Sequence, residues 1–452
     1  MPLSVLTDSD VKEILQNLTY DDVIDLQKTL GDALHGYSTG DTNASCCASF
    51  QPERTVLKKK DVTSLFIPSS AGDAIGVKVV TMQTPVSTEP PSSASAGESV
   101  TSKKSSGSVS SASTGIDALQ LTPASTTSTS TSTGDTNSTT TRSSISSASS
   151  QPPSTPTTQT TPPKGIINIM DSHGTPLGIL PATELPAFTT SLASTLLLRR
   201  RQTVHTLTIF GAGRIAFYTI LLSLLLRAPE IHHINIINRS FDNAIALMKQ
   251  FLPSHGGDPS WSHVKFSALS PEFVEYDRLL KEEVRKADVV FCCTPSTTPL
   301  FPAEYLTSHE GRRKGRYIAA VGSYMPHMIE LHPQIIQAAV KDGNHKRHHH
   351  RHARQEGVIV VDSLDGCLRG AGEVVSAGLT GEQLVEIGEL IMVRRSLEEE
   401  KKGEGEKGLV EWLTRGNVIY KGVGLGLMDL VVGREVVRLG RERGVGTVIA
   451  EF

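Results

Sequence analysis

The chain reads as an α/β protein whose centre, from about residue 203 to 395, is a doubly wound parallel sheet, with a second α/β part beside it. Three observations carry this. An apolar, β-branched run, Thr206–Phe210, passes directly into Gly211-Ala212-Gly213 and then into a segment whose apolar residues Phe217, Ile220, Leu221 and Leu224 fall at helical spacing. Strand-like and helix-like segments then alternate as far as residue 395, the rhythm of parallel βαβ units. Ahead of them lie short β-like runs separated by charged or glycine-containing turns.

A chain of 452 residues is too long for one core, so more than one folded part is expected. The shortfall in apolar residues, 38%, and in aromatics, 5%, is local. From Pro85 to Pro163 the sequence collapses into Ser, Thr and Pro, which cannot bury enough surface to offset the entropy of ordering, so this segment is expected to be disordered. A net charge of −3 gives no basic field for nucleic acid or a membrane surface. The most apolar run, Ile220–Leu226, is too short to span a bilayer. The opening MPLSVLTDSD has acids where a secretory leader has a basic end. The five cysteines, with adjacent pairs Cys46–Cys47 and Cys292–Cys293, show neither disulfide nor metal-ligand spacing. Together these point to a soluble cytoplasmic protein with no metal, nucleic-acid or membrane partner.

Taken in order, Thr7 and Ser9 cap a first short helix, and Thr19 with Asp22 opens a second by a capping box. Val23, Ile24, Leu26, Leu30 and Leu34 continue that helix, which ends near Gly36 and Gly40. Strands are expected at Arg54–Leu57, Ser64–Pro68 and Gly76–Met82. Beyond residue 163, Ile166–Met170 and Pro176–Leu180 flank the turn residues Asp171-Ser172-His173-Gly174, a hairpin. A helix over Thr183–Arg200 follows, its last arginines matching a helix C-terminus. Two polar inserts, Lys341–Glu356 with the tract His348-His349-His350, and Ser396–Lys407, read as solvated loops.

The glycine loop carries the first chemistry. Gly211 permits a tight turn, Gly213 lets the backbone approach a pyrophosphate, and Ala216 keeps strand and helix close. The helix beginning at Arg214 and Ile215 offers free N–H groups to an anion. The second strand, His233–Ile237, ends in Asn238-Arg239-Ser240, 22 residues past Ala216, where an acid would take a ribose 2′-hydroxyl. None is present, and Arg239 with Ser240 suits a 2′-phosphate, so NADP(H) is favoured over NAD(H). Buried strands at Ala287–Cys293 and Tyr317–Val321 deliver Thr294-Pro295-Ser296 and Gly322-Ser323 to the carboxyl edge of the sheet, to border the nicotinamide.

On the substrate side, Lys78 lies within Ile75-Gly-Val-Lys-Val-Val80, where an unpaired ammonium is costly; it suits a carboxylate or a proton shuttle, or else guards a strand edge. Arg54 can clamp a carboxylate in two-pronged fashion. With Gln51-Pro-Glu-Arg54, Leu180-Pro-Ala-Thr-Glu-Leu-Pro-Ala-Phe188, Thr294-Pro-Ser-Thr-Thr-Pro-Leu300 and Gly424-Leu-Gly-Leu-Met-Asp429, these motifs resemble, in order, those of the ornithine cyclodeaminase/mu-crystallin family in a fungal-type version.

The resemblance implies a Rossmann domain, 203–395 with the insert 341–356, set into a substrate-binding and dimerisation domain formed by 1–84, 164–202 and a C-terminal return, 418–452. The segments 85–163 and 396–417 are then insertions. It implies a homodimer and hydride transfer between NAD(P)(H) and the Cα of a small amino or imino acid. By carry-over, Arg54 and Lys78 hold the substrate carboxylate and Asp429 lies near the cofactor. Two positions depart from the family: Thr189 stands where an arginine is usual, and Tyr324 where cyclodeaminases carry an aspartate, leaving Tyr324 or His327 as proton donor. The expected activity is an NADPH-dependent imine or ketimine reductase. The alternatives are an NAD-dependent ornithine cyclodeaminase and a non-catalytic NADP-binding protein.

Overall fold

The computed structural model describes residues 2–39, 51, 52, 54–72, 74–83, 164–341, 358–391 and 404–452. The Ser/Thr/Pro-rich segment, the His tract and Cys46–Cys47 lie outside the described residues. Thr7 and Thr19 act as read: each hydroxyl accepts a backbone N–H three residues on, and Asp10 and Asp22 return the bond to the Thr7 and Thr19 N–H groups at 2.8 and 2.7 Å. They start α1 (Asp8–Gln16) and α2 (Tyr20–Thr39), whose Val23, Leu26, Leu30 and Leu34 are buried. Around them runs a seven-stranded sheet ordered β15-β1-β6-β5-β4-β3-β2. Its strands are β1 (Leu3–Val5), β2 (Thr55–Lys59), β3 (Val62–Ala71), β4 (Ala74–Gln83), β5 (Lys164–Asp171), β6 (Pro176–Pro181) and β15 (Thr447–Ile449). The expected hairpin is β5–β6, its turn held by Asp171 Oδ1, which accepts the His173 and Thr175 N–H groups, with Gly174 at φ +82°.

Thr81 faces Lys164 across β4 and β5, so residues 84–163 connect the ends of two adjacent antiparallel strands. A short turn can replace a long insertion at such a point with little change in closure entropy. Deleting residues 86–163 is therefore expected to leave the thermal midpoint within a few degrees of the full chain, measured by calorimetry; an insoluble product would assign the segment a structural role.

Helix α3 (Leu185–Thr195) is shorter than the expected Thr183–Arg200: it gives way to a tighter turn at Leu198–Arg200. Arg201 is buried and donates to the Leu413 carbonyl at 3.0 Å, so it matches the C-terminal end of a neighbouring helix, Glu404–Arg415, rather than that of its own.

The second sheet has eight strands, all parallel, in the order β13-β12-β14-β11-β10-β7-β8-β9. They are β7 (Thr206–Phe210), β8 (His233–Ile237), β9 (Lys265–Leu269), β10 (Val289–Cys292), β11 (Tyr317–Ala320), β12 (Ile359–Val361), β13 (Leu384–Glu386) and β14 (Val418–Lys421). Between them run α4 (Arg214–Arg227), α5 (Phe241–Lys249), α6 (Tyr276–Lys286), α7 (Glu304–Thr307), α8 (His309–Arg312), α9 (Pro333–Lys341), α10 (Leu364–Gly370) and α11 (Gly372–Ala377). Strands β10, β11 and β14 are wholly buried, as parallel strands covered on both faces must be. The order runs outward from β7 in both directions, so the switch point lies between β7 and β10, where ligands sit in such sheets.

The structure departs from the expected segments at the C-terminal end. The parallel sheet does not finish at 395: β14, beyond the second polar insert, slots between β11 and β12. Only after Lys421 does the chain cross to the other sheet, through the last helix, Gly426–Arg443. That helix packs closely on β5 and β6; a Cβ at Gly433 would stand 3.0 Å from both Ile169 and Leu185.

Candidate active site

At the switch point, Gly211 has φ +112°, and a Cβ there would stand 3.0 Å from the Cys293 carbonyl oxygen and Thr294 Cγ2. Only glycine meets both demands. Gly213 caps α4 without any side-chain bond, and a Cβ on it would meet nothing within 4 Å. The backbone at the start of α4 therefore borders open space, and no side chain of the N-cap residue occupies its first N–H groups. Ala212 and Ile215 are partly buried, whereas Ala216 packs fully into the core. Arg214 is held by Glu184, Nε to Oε1 at 2.7 Å, and Glu184 Oε2 accepts the Tyr218 hydroxyl at 2.8 Å. Burial and Glu184 together push the Tyr218 hydroxyl far up, keeping it a donor. Glu184 was not anticipated; it sits in a quoted motif, but nothing in its spacing points across to Arg214.

Beside this loop is a cavity of about 460 Å³ lined by Asn238, Arg239, Tyr276, Thr294, Pro295 and Ser296 among others. Five of these were expected at the cofactor; Tyr276, at the start of α6, was missed. Arg239 is exposed. Asn238 Nδ2 donates to the Ser240 carbonyl at 2.9 Å, while Ser240 Oγ accepts the Asn243 N–H at 3.3 Å and caps α5. Of that trio, then, Arg239 has the free reach and the other two shape the turn.

The loops after β10 and β11 are joined through one buried acid, Glu330. Its Oε1 accepts the Thr294 N–H at 2.8 Å, and its Oε2 accepts those of Gly322 and Ser323 at 2.7 and 3.1 Å. Backbone bonds from Leu300 to Glu330 and from Ile329 to Ser296 close the same seam. Ser323, expected to border the nicotinamide, turns its hydroxyl inward to donate to Glu373 at 2.6–2.7 Å. Lys421 donates to the Ser323 carbonyl and hydroxyl at 2.5 and 2.7 Å and lies 3.3 Å from Glu373. Burial pushes the Glu330 carboxyl up to about 7, against the pull of Lys421 and its amide donors. The thiols of Cys292 and Cys293 are likewise raised by burial, which leaves them inert.

Lys78 forms an ion pair with Asp429, in the first turn of the last helix. Both are largely shielded, with side-chain exposures of 15% and 4%. Asp429 Oδ1 accepts the Thr189 hydroxyl at 2.7 Å. Asp429, expected near the cofactor, thus holds Lys78 with one oxygen and Thr189, the residue expected to stand in place of an arginine, with the other. Arg54 is exposed just ahead of β2. Thr55 faces Phe66 and Ile67 faces Lys78, so extending the register puts Arg54 on the same transverse row and face as Lys78, two strands or about 10 Å away. Tyr324 is 43% exposed, and His327 is exposed too. Among the described residues, no group of three His, Cys, Asp or Glu is placed to hold a metal ion, and no helix is long and apolar enough to cross a membrane.

No family model matches the chain. Over 293 residues it is 27% identical to a Δ(1)-pyrroline-2-carboxylate reductase of Bacillus cereus, covering 63% of this chain and 74% of that protein. Its fold resembles Thermococcus litoralis Δ(1)-pyrroline-2-carboxylate reductase, solved with NADH and L-proline: TM-score 0.59, 16% identity, 98% and 99% coverage of the two chains. It also resembles a probable ornithine cyclodeaminase from Bordetella pertussis, with a TM-score of 0.55, 17% identity, and 98% and 99% coverage. These relatives support the resemblance to the ornithine cyclodeaminase/mu-crystallin family that the sequence motifs carry.

Proposed function

We propose that the chain is an NADPH-dependent imine or ketimine reductase acting on a small cyclic imino acid. The bound nicotinamide supplies a hydride to the substrate Cα. The Gly211–Gly213 loop and the N-terminus of α4 hold the pyrophosphate, with Arg214 beside it. Arg239, free at the end of a strand that carries no acid, takes the ribose 2′-phosphate. Lys78, oriented by Asp429, meets the substrate carboxylate and lies ready to move a proton at the imine nitrogen, and Arg54 reaches along its row to the same carboxylate. Tyr324 carries the choice between reductase and cyclodeaminase: an exposed phenol stands where a cyclodeaminase carries aspartate.

The test is a screen of purified protein with NADPH against cyclic ketimines and with NAD against ornithine, following absorbance and ammonia together. Stoichiometric NADPH oxidation without ammonia supports the reductase. Ammonia from ornithine with no net cofactor change replaces it by the cyclodeaminase. A melting-temperature rise with NADP(H) but no turnover with any substrate leaves a binding protein. Arg239→Ala is expected to weaken NADPH roughly 10- to 100-fold and NADH hardly at all, the loss of a charge-assisted phosphate contact; equal losses would remove the 2′-phosphate argument. The sheet face opposite Lys78 bears Leu57, Phe66 and Ile166, exposed by 48, 36 and 49%, which supports a dimer through this sheet.

A further inference from the structure

We propose that Glu330 is a positioning residue that fixes the two loops facing the nicotinamide, and that its protonation is linked to the charge on the ring. The inference rests on the dinucleotide reading above and extends it to a residue that touches neither cofactor nor substrate.

Geometry carries it. Glu330 is fully buried, and its carboxylate gathers amide donors from the loop after β10 (Thr294) and the loop after β11 (Gly322, Ser323). These loops touch backbone to backbone: a Cβ at Gly322 would lie 2.2 Å from the Thr294 carbonyl oxygen. Any change in the charge or hydrogen bonding of Glu330 therefore reaches both loops at once.

The charged groups around it do not balance. From β14 comes Lys421, from α11 Glu373, and beyond them at the end of β12 Asp362; all three are buried. The thiols of Cys292 and Cys293 on β10 stay neutral. Among the described residues, Lys421 is the cation that faces these three buried acids, and Asp362 is itself occupied by the N–H groups of Val423 and Gly424. In this setting burial, with Glu373 adding to it and Lys421 opposing, brings the Glu330 carboxyl up to about 7, where a modest field decides whether the proton stays. A nicotinamide is cationic when oxidised and neutral when reduced. The oxidised ring favours the ionised Glu330, and the reduced ring leaves its proton in place.

The test compares dissociation constants of NADP+ and NADPH on the full chain from about pH 6 to about pH 8, by calorimetry. Taking their ratio cancels the pyrophosphate, the 2′-phosphate and Arg239, which are common to both. The ratio Kd(NADP+)/Kd(NADPH) is expected to fall about three- to ten-fold as pH rises, the size of one proton linked to one charge across a low-dielectric gap. Near neutral pH, buffers of different ionisation enthalpy should register more proton release with NADP+ than with NADPH, the part due to the 2′-phosphate being common to both. Glu330→Gln is expected to flatten the ratio, while Glu373→Gln, which removes a like charge, moves its change to lower pH. A flat ratio in the native chain with both dinucleotides bound overturns the linkage and leaves the cofactor reading intact. An unchanged slope in Glu330→Gln overturns it too, as does an unmoved window in Glu373→Gln, which decides the matter should Glu330→Gln not fold. Failure of either dinucleotide to bind or to raise the melting temperature overturns both readings.

Discussion

Lys78→Ala is expected to lower kcat/KM about 10²- to 10⁴-fold, the range for losing a positioned proton-transfer group, while the melting-temperature rise produced by NADPH persists. Lys78 stands in β4 among Val77, Val79 and Val80, and only 15% of its side chain is exposed. A strand position of this kind does not retain a lysine for solubility. Its ammonium is held by Asp429, so it is positioned before any substrate arrives. The substitution also leaves the Asp429 carboxylate buried with the Thr189 hydroxyl as its one side-chain donor among the described residues, which costs stability. For that reason the loss of activity has to be read beside a melting curve and beside Lys78→Met, which keeps the stem. Unchanged turnover in either folded variant would remove Lys78 from the site.

What the sequence made legible was local. Thr206–Phe210 followed by Gly211-Ala212-Gly213 could be read because strand, turn and helix are contiguous, and the turn's demand for glycine is a matter of backbone sterics. Lys78 stood out because a charge in an apolar strand needs an explanation. Its partner did not, since Asp429 lies 351 residues downstream on a helix whose facing is decided only by packing. The same holds for Glu330, Glu373 and Lys421: a chain rich in exposed acids gives no sign of which ones turn inward. Strand β14 was missed for a different reason. At four residues, behind a charged insert, it is too short for any periodicity to show, and its place between β11 and β12 is fixed by neighbours distant in the chain. Expected helix ends failed where the turn tightened, as at Leu198–Arg200.

Asp429→Asn is expected to be nearly as damaging to catalysis as loss of Lys78, lowering kcat/KM about 100-fold, and more damaging to the fold. The carboxylate is 4% exposed, and it holds Lys78 with one oxygen and Thr189 with the other. It also lies in the first turn of the helix Gly426–Arg443, where negative charge is favoured by the helix dipole. Asparagine preserves the shape and an acceptor for Thr189, so what is removed is charge. The ammonium of Lys78 is then shielded without a counter-ion, and breaking a buried pair in this way costs about 3–5 kcal/mol, reduced here by the partial exposure of Lys78. NADPH affinity is expected to hold, because both partners of Asp429 lie outside the Gly211–Gly213 loop and the Arg239 cavity. A tenfold weakening of NADPH with turnover preserved would return Asp429 to the cofactor side, where family resemblance placed it. A double-mutant cycle separates pairing from packing. If the two residues act as a unit, adding Asp429→Ala to Lys78→Ala costs little further activity, and the double variant is more stable than either single one, because no unpaired charge is left buried. Additive losses would mean that Lys78 and Asp429 contribute separately and that their ion pair does not set the chemistry of the site.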